Sequence, residues 1–274
     1  MSALHTVVSF HAHPDDEALY TAGTLAQAAA DGHRVVLVVA TAGESGLAAA
    51  ALPGERPLGE RRVAELEASA REIGCARVVL LGYGDSGFDG TAVTPGRQPF
   101  ACADVEEAAE RLAEVLVEEQ ADVLTTYDAA GGYGHADHKQ VHRVGARAAA
   151  LAGTPVVLEA TVDRDALERV LALMRALRRL VPGLVAPPAV QTTYTARRDI
   201  THRIDVRRQL EVKRASIAAH VTQGTAPQGI RTLALILRLP WPLFARVFRY
   251  EWFVEQGRPP TRPPLTDIFA TLPR

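Results

Sequence analysis

Two stretches of the 274-residue chain concentrate imidazoles and carboxylates. The first is His11-Ala12-His13-Pro14-Asp15-Asp16-Glu17, and the second is Gly131-Gly132-Tyr133-Gly134-His135-Ala136-Asp137-His138. Neutral imidazole and carboxylate are ligands that zinc accepts, and a catalytic zinc takes three protein ligands while keeping a position open for water. His13 and Asp16, three apart across a strand-to-helix turn, can face one point, and His138 can supply the third ligand from the second stretch. Asp15 is then free for acid/base work. The competing reading of the first stretch is a helix start at which Asp15, Asp16 and Glu17 cap amides and complement the dipole; it leaves two histidines unexplained. Taken alone, His135, His138 and His142 also suit an exposed helix start, so the metal reading rests on the two stretches together.

Elements that could bring them together are legible in the hydrophobic pattern. Near-continuous Val/Leu runs predict strands at 6–10, 33–40, 77–81, 122–126 and 155–160, and helical spacing predicts helices at 16–30, 59–73, 104–119 and 137–152. Strands of this kind alternating with helices imply a parallel sheet covered on both faces. The fold expected is α/β, a Rossmann-like doubly wound, mostly parallel sheet over 1–161. Residues 162–274 form an appended C-terminal α+β subdomain that completes the substrate side of the site. In that subdomain we expect an amphipathic helix at 165–180, a Pro-punctuated segment at 182–188, a strand at 200–204 and a helix at 206–220. In open α/β sheets ligands bind beyond the carboxyl ends of the strands, which is where both stretches fall.

Composition narrows the function. Thirty basic residues against 32 acidic ones, a formal charge of -2, offer no electrostatic footprint for nucleic acid. Cys75 and Cys102 stand alone, which excludes a disulfide framework and fits a reducing cytoplasm. Residues 1–10 lack a basic start and a cleavage site, and the apolar run 233–239 is far shorter than the about 20 residues of a spanning helix. A cytoplasmic protein with no membrane span is expected.

HPDDE at the end of the first strand, with GGYGHxDH further on, resembles the LmbE-like, or PIG-L, zinc-dependent N-deacetylases. The likeness continues through Arg62 and Glu65, Leu81-Gly82-Tyr83, Asp85-Ser86-Gly87, Lys213 and Ala219-His220-Val221-Thr222-Gln223. It points to the branch of N-acetylglucosaminyl-inositol deacetylases and mycothiol conjugate amidases. The resemblance implies one Zn2+ per chain on His13, Asp16 and His138, with Fe2+ or Co2+ able to use the same ligands. It further implies Asp15 as the base that deprotonates the attacking water, and His135 as the side chain that steadies the oxyanion and helps protonate the leaving amine. Asp137 would orient an imidazole, Tyr133 would be a mobile tyrosine polarising the amide carbonyl, and Arg62 and Asp85 would hold substrate. The chemistry is coherent: amide hydrolysis needs water made nucleophilic at neutral pH, stabilisation of the tetrahedral oxygen and a proton for the amine.

The partner implied is a small N-acetylated amino sugar, N-acetylglucosaminyl-inositol or a similar pseudo-disaccharide. The runner-up substrates are an N-acetylglucosaminyl intermediate of a secondary metabolite and a mycothiol S-conjugate. Two departures from the family pattern stand out: Ala136 replaces the usual proline, and Tyr20 replaces a small or basic residue near the site mouth. A noncatalytic sugar-binding module on the same fold is the reading from another class, and the presence of Asp15 argues against it. A dinucleotide enzyme would need a glycine-rich turn where HAHPDDE stands. His11 is expected to be a buried polar residue behind the ligands. His5, His33 and His202 are expected to be structural or exposed, and His220 either to approach the site or to pack. The aromatic tail at 230–253 is read as packing onto the domain, as a lid, or as the contact of a homo-oligomer.

Overall fold

The computed structural model describes residues 3–46, 56–177, 193–224 and 232–273. Its central element is β1 (Thr6–His11), which pairs in parallel with β2 (Arg34–Thr41) on one side and with β4 (Val123–Tyr127) on the other. β2 in turn carries β3 (Arg77–Tyr83), and β4 carries β5 (Val156–Thr161), also in parallel. The strand order β3-β2-β1-β4-β5 reverses direction between β1 and β4, so the loops leaving those two strands diverge and a cleft opens between them. They are the loops that carry the two His/Asp stretches.

The predicted strands and the three later helices of the core form close to their expected limits: α3 (Leu58–Ile73), α4 (Val105–Glu118) and α5 (Ala136–Ala152). Local signals explain the limits. Asp104 caps α4 by accepting from the amides of Glu106 and Glu107. Gly74 ends α3 in the left-handed region at φ 87°, which costs a glycine little. Gly145 serves packing instead: it lets α5 lie so close to β4 that a Cβ there would stand 2.2 Å from Thr126 Cγ2.

One predicted helix is two. The segment expected as a single helix at 16–30 is α1 (Asp16–Tyr20) and α2 (Ala22–Ala30), broken at Thr21, whose φ is -134°. The break is held from outside the segment. Thr21 Oγ1 hydrogen-bonds His11 Nε2 at 3.1 Å, and the Glu251 carboxylate accepts from the α2 amides of Gly23 (2.9 Å) and Thr24 (2.7 Å). A partner more than two hundred residues away thus supplies the cap that α2 lacks locally.

The C-terminal part begins with α6 (Arg164–Leu177) and adds two strands to the same sheet. These are β6 (His202–Asp205), starting two residues later than expected, and β7 (Tyr250–Glu255). β7 lies between β5 and β6 and is antiparallel to both. The helix expected at 206–220 is a short 3-10 turn, Arg207–Gln209, followed by α7 (Leu210–Ala219). The segment at 182–188 and the end of the 165–180 helix lie outside the described residues. α8 (Val221–Gly224), α9 (Thr232–Leu237) and α10 (Trp241–Val247) complete the chain order. In the aromatic tail, Phe244 and Phe253 are fully buried and pack onto the domain, while Leu235, Trp241, Leu243 and Val247 remain exposed. No helix among the described residues is long and apolar enough to cross a membrane.

Candidate metal centre and active site

β1 ends in a buried polar column. Ser9 Oγ and Tyr127 Oη each hydrogen-bond one ring nitrogen of His11 at 2.8 Å, one as donor and the other as acceptor, so His11 backs the site as expected and is not turned into it. Burial pushes the His11 imidazole down to about 4, so it is neutral. His13 and Asp16 follow at the start of α1, and His138 comes from the first turn of α5. The Asp16 carboxylate stands between the two rings, with Oδ2 3.3 Å from His13 Nδ1 and Oδ1 3.3 Å from His138 Nε2.

The donors in this cluster fit a divalent cation. His138 is fully buried, and neither of its ring nitrogens has a hydrogen-bond partner among the described residues. A buried unpaired imidazole is costly unless something else meets it. His13 turns its other nitrogen, Nε2, to Asp137 Oδ2 at 3.1 Å, the carboxylate–imidazole arrangement that commonly fixes a metal-binding histidine. Charge favours a cation too, because Asp16, Asp85 and Asp137 all lie within 3.6 Å of His13. Burial alone would lower the His13 pKa, yet Asp137, Asp16 and Asp85 outweigh it and hold it well above its ordinary value. The same field that favours a proton there favours a metal ion in its place. Donor atoms of His13, His135 and His138 also lie within 4.8 Å of one another, as do those of His13, Asp85, His135 and Asp137.

Asp15 does not cap α1 with its side chain, and its backbone is held at φ 109°, a conformation that non-glycine residues rarely adopt. The capping account of this stretch therefore fails at the residue that should carry it. Instead the Asp15 carboxylate faces Arg62 Nη2 at 3.1 Å. Burial pushes its pKa up to about 6 against the opposing pull of Arg62. Arg62 is itself buried; it donates to the carbonyls of Gly43 (2.8 Å) and Pro14, so its guanidinium braces the loop that carries Asp15. Asp85 is buried as well and accepts from the amides of Ser45 (3.1 Å) and Gly87 (2.9 Å).

The second stretch reaches the site through a turn in which Gly131, Gly132 and Gly134 all have positive φ. Asp128, at the end of β4, accepts from Gly132 N (3.0 Å) and Thr161 Oγ1 (2.5 Å), and Tyr194 N donates to Gly132 O (3.1 Å). Held this way, the loop leaves Tyr133 partly exposed and stacked on Phe88, with ring centres 6.0 Å apart. His135 opens α5 and its Nδ1 accepts from Asp137 N (3.2 Å), which places the proton of the neutral ring on Nε2. Burial, then His13 and His138, push the His135 pKa down to about 4. Asp137 is fully buried and also accepts from Ser86 N at 3.0 Å.

All nine expected site residues thus lie around one cleft, although Nη1 and Nη2 of Arg62 and both carboxylate oxygens of Asp85 have protein partners. Three residues of the surroundings escaped sequence reasoning. Glu17, read there only as a capping acid, is a buried hub that accepts from Asp15 N (3.0 Å) and Ser69 Oγ (2.6 Å) and pairs with His220 Nε2 (2.6 Å). Asp128 and Tyr194, which fix the glycine turn, carried no motif; the positive φ of Tyr194 (56°) is a backbone property with no sequence signal.

Family comparison agrees with this architecture. The chain belongs to the PIG-L family, described as GlcNAc-PI de-N-acetylase, which matches residues 8–149. A protein from Thermobifida fusca named 1D-myo-inositol 2-acetamido-2-deoxy-alpha-D-glucopyranoside deacetylase is 36% identical over 283 residues, covering 95% of this chain and 97% of its own length. Among solved structures, N,N'-diacetylchitobiose deacetylase from Pyrococcus horikoshii superposes with a TM-score of 0.61 at 20% identity, covering 92% of this chain and 83% of that one. The 4-carboxy-2-hydroxymuconate hydratase GalB from Pseudomonas putida does so with a TM-score of 0.61 at 17% identity, covering 94% and 98%. Since a hydratase and a deacetylase share the fold equally, the fold leaves the chemistry to the site.

Proposed function

We propose that the protein is a metal-dependent N-deacetylase that hydrolyses the acetyl amide on the 2-amino group of an N-acetylglucosaminyl substrate, N-acetylglucosaminyl-inositol or a similar pseudo-disaccharide. One observation carries the reading: the buried, unpartnered His138 ring faces Asp16 and His13, while the neighbouring Asp15 is freed from capping and held in a strained backbone. The name of the Thermobifida fusca relative, matched along 97% of its own length, supports the substrate.

His13 through Nδ1, Asp16 and His138 through Nε2 would hold the ion, for which we propose Zn2+; Fe2+ and Co2+ accept the same donors. When bound, a divalent ion supplies Lewis acidity that makes water nucleophilic at neutral pH and polarises the acyl carbonyl. Asp15, with its pKa raised to about 6, accepts a proton from the attacking water and can return it to the amine as the C–N bond breaks. His135, neutral with Nε2–H, suits donation to the developing oxyanion better than service as the acid. Tyr133 at the rim would add a second donor to the same oxygen. Asp137 keeps His13 in the tautomer that offers Nδ1, and Arg62 orients Asp15 while Asp85 steadies the loop beside His13. Residues 162–274 complete the substrate side through Tyr194. We place the reaction in the cytoplasm, consistent with two unpaired cysteines.

Tyr20 favours a second reading of the aglycone. It is nearly buried, and its hydroxyl stands 2.7 Å from where a Cβ on Gly132 would be, so a bulky ring narrows this side of the mouth. An N-acetylglucosaminyl intermediate of a secondary metabolite is the alternative it suits.

The test is amine release from a panel of N-acetylglucosaminides by wild type and Asp15→Asn. We expect the variant to retain its metal and lose more than about 90% of turnover, because an amide cannot accept the proton. Turnover above about a tenth of wild type would remove Asp15 from the mechanism, and activity on acetylated peptides but on no glucosaminide would overturn the substrate class.

A further inference from the structure

Away from the metal cluster, on the sheet face over β6 and β7, a cavity of about 210 Å³ is lined by four arginines and a single carboxylate. The arginines are Arg197, Arg198, Arg203 and Arg262, and the carboxylate is Asp163. In a chain with a formal charge of -2, this is a local concentration of positive charge. Asp163 is already committed: it accepts from Arg197 Nε at 2.6 Å and pairs with Arg197 Nη2 at 2.5 Å, which fixes that guanidinium at the wall. Arg198 has a weak partner in Asp199 at 3.5 Å. Arg203 and Arg262 have no carboxylate partner among the described residues.

The rest of the cavity is of the opposite character. Trp252, Tyr250, Ile200 and Pro264 supply flat or apolar wall. Strand alternation explains the wall. Glu251 and Phe253 of β7 point into the core, so Tyr250 and Trp252 take the other face, alongside Arg203 of β6, whose register partner is Trp252. The Arg203 guanidinium lies over the Tyr250 ring at 4.7 Å from its centre, a stacking that orders the fork and leaves its N–H edge available. A positive, preorganised edge beside an aromatic wall recognises a ligand with both properties.

We infer that this cavity is a binding site for a small anion carried on a flat ring, of the aryl phosphate or aryl carboxylate class. Arg203 and Arg262 would grip the oxyanion, and Trp252 would pack on the ring. The volume suits one ring with one acidic group, smaller than the usual drug-sized pocket. None of the metal-cluster residues lines it.

The chain has two tryptophans, so Trp241→Phe leaves Trp252 as the sole reporter, and Trp241 has no part in either site. In that background Trp252 fluorescence is titrated with phenyl phosphate, benzoate, inorganic phosphate and phenol, on full-length protein. We expect saturable quenching by phenyl phosphate and benzoate, with inorganic phosphate and phenol each at least about 10-fold weaker. Arg203→Ala and Arg262→Ala should each weaken phenyl phosphate at least about 5-fold. Both residues are exposed, so folding is preserved, and an unchanged circular dichroism spectrum verifies it. Calorimetry repeats the titration without the reporter. No saturation by phenyl phosphate below about 10 mM overturns the site. Inorganic phosphate binding as tightly as phenyl phosphate overturns the ligand class, and unchanged affinity in both arginine variants overturns the assignment of the grip.

Discussion

Glu251→Ala should be among the most damaging single changes outside the cleft. Its carboxylate is almost fully buried and meets three donors: the amides of Gly23 at 2.9 Å and Thr24 at 2.7 Å, and Lys213 Nζ at 2.5 Å. Lys213, equally buried, donates besides this to Leu19 O at 2.7 Å, its one other hydrogen-bond partner among the described residues. Removing the carboxylate strands an ammonium in the interior, which costs about 3–5 kcal/mol. The two orphaned amides of α2 add about 1–3 kcal/mol each before relaxation. We therefore expect at least about 4 kcal/mol of lost stability, a large share of the about 5–15 kcal/mol a domain typically has. Lys213→Met removes the other partner and has a smaller effect, about 2–3 kcal/mol, because Glu251 keeps both amides and the positive end of α2. The double variant K213M/E251A should be more stable than E251A alone, since no charge is left stranded. Urea unfolding midpoints of the three variants, with slopes checked for constancy, measure the order. If K213M is as destabilised as E251A, or if the two losses simply add in the double variant, the reasoning from a stranded charge is wrong.

His138→Ala should reduce co-purified metal, read by mass spectrometry, to below about a tenth of wild type, whereas His5→Ala and His33→Ala leave it unchanged. Glu119 accepts from Arg34 Nε (2.5 Å) and Arg77 Nη1 (2.8 Å), and the Arg34 bond leads in holding its carboxyl below its ordinary 4.5. A depressed carboxyl stabilises above the unfolded value and loses that contribution as pH falls through the folded one. The stability gap between wild type and Glu119→Gln should accordingly be constant from neutrality down to about pH 5 and close below it; a gap independent of pH refutes the linkage. Gly145→Ala should lower stability by about 1–3 kcal/mol through overpacking against Thr126, and Thr126→Ser should recover part of it; thermal unfolding of the two variants checks both.

What could be read in the sequence was what depends on neighbours along the chain. The Val35 to Val39 run is a strand wherever it is placed, and Asp104 caps α4 with the amides two and three residues on. The His/Asp stretches were legible for the same reason: each is short, and a parallel sheet puts both at one edge. The break at Thr21 was not, because Glu251 makes it from the far end of the chain. Arg62 is the instructive case. The family resemblance assigned it to the substrate, yet its partners are the Pro14 and Gly43 carbonyls and Asp15, which no spacing rule connects to it. The glycines at 131, 132 and 134 announced a turn without revealing that Asp128 and Tyr194 would hold it.

The position of β7 between β5 and β6 has a consequence for the birth of the protein. A nascent chain can lay down the five parallel strands in the order in which they emerge, but the edge of β5 stays open until residues beyond 250 are synthesised, and β6 waits for the same strand to join the sheet. Open edges of this kind invite pairing with other chains. The same late strand carries Glu251, which caps α2 and so secures the break just behind Asp16. Folding of the site is thereby tied to completeness: a chain released early exposes an adhesive edge and also lacks the contact that seats its first His/Asp loop.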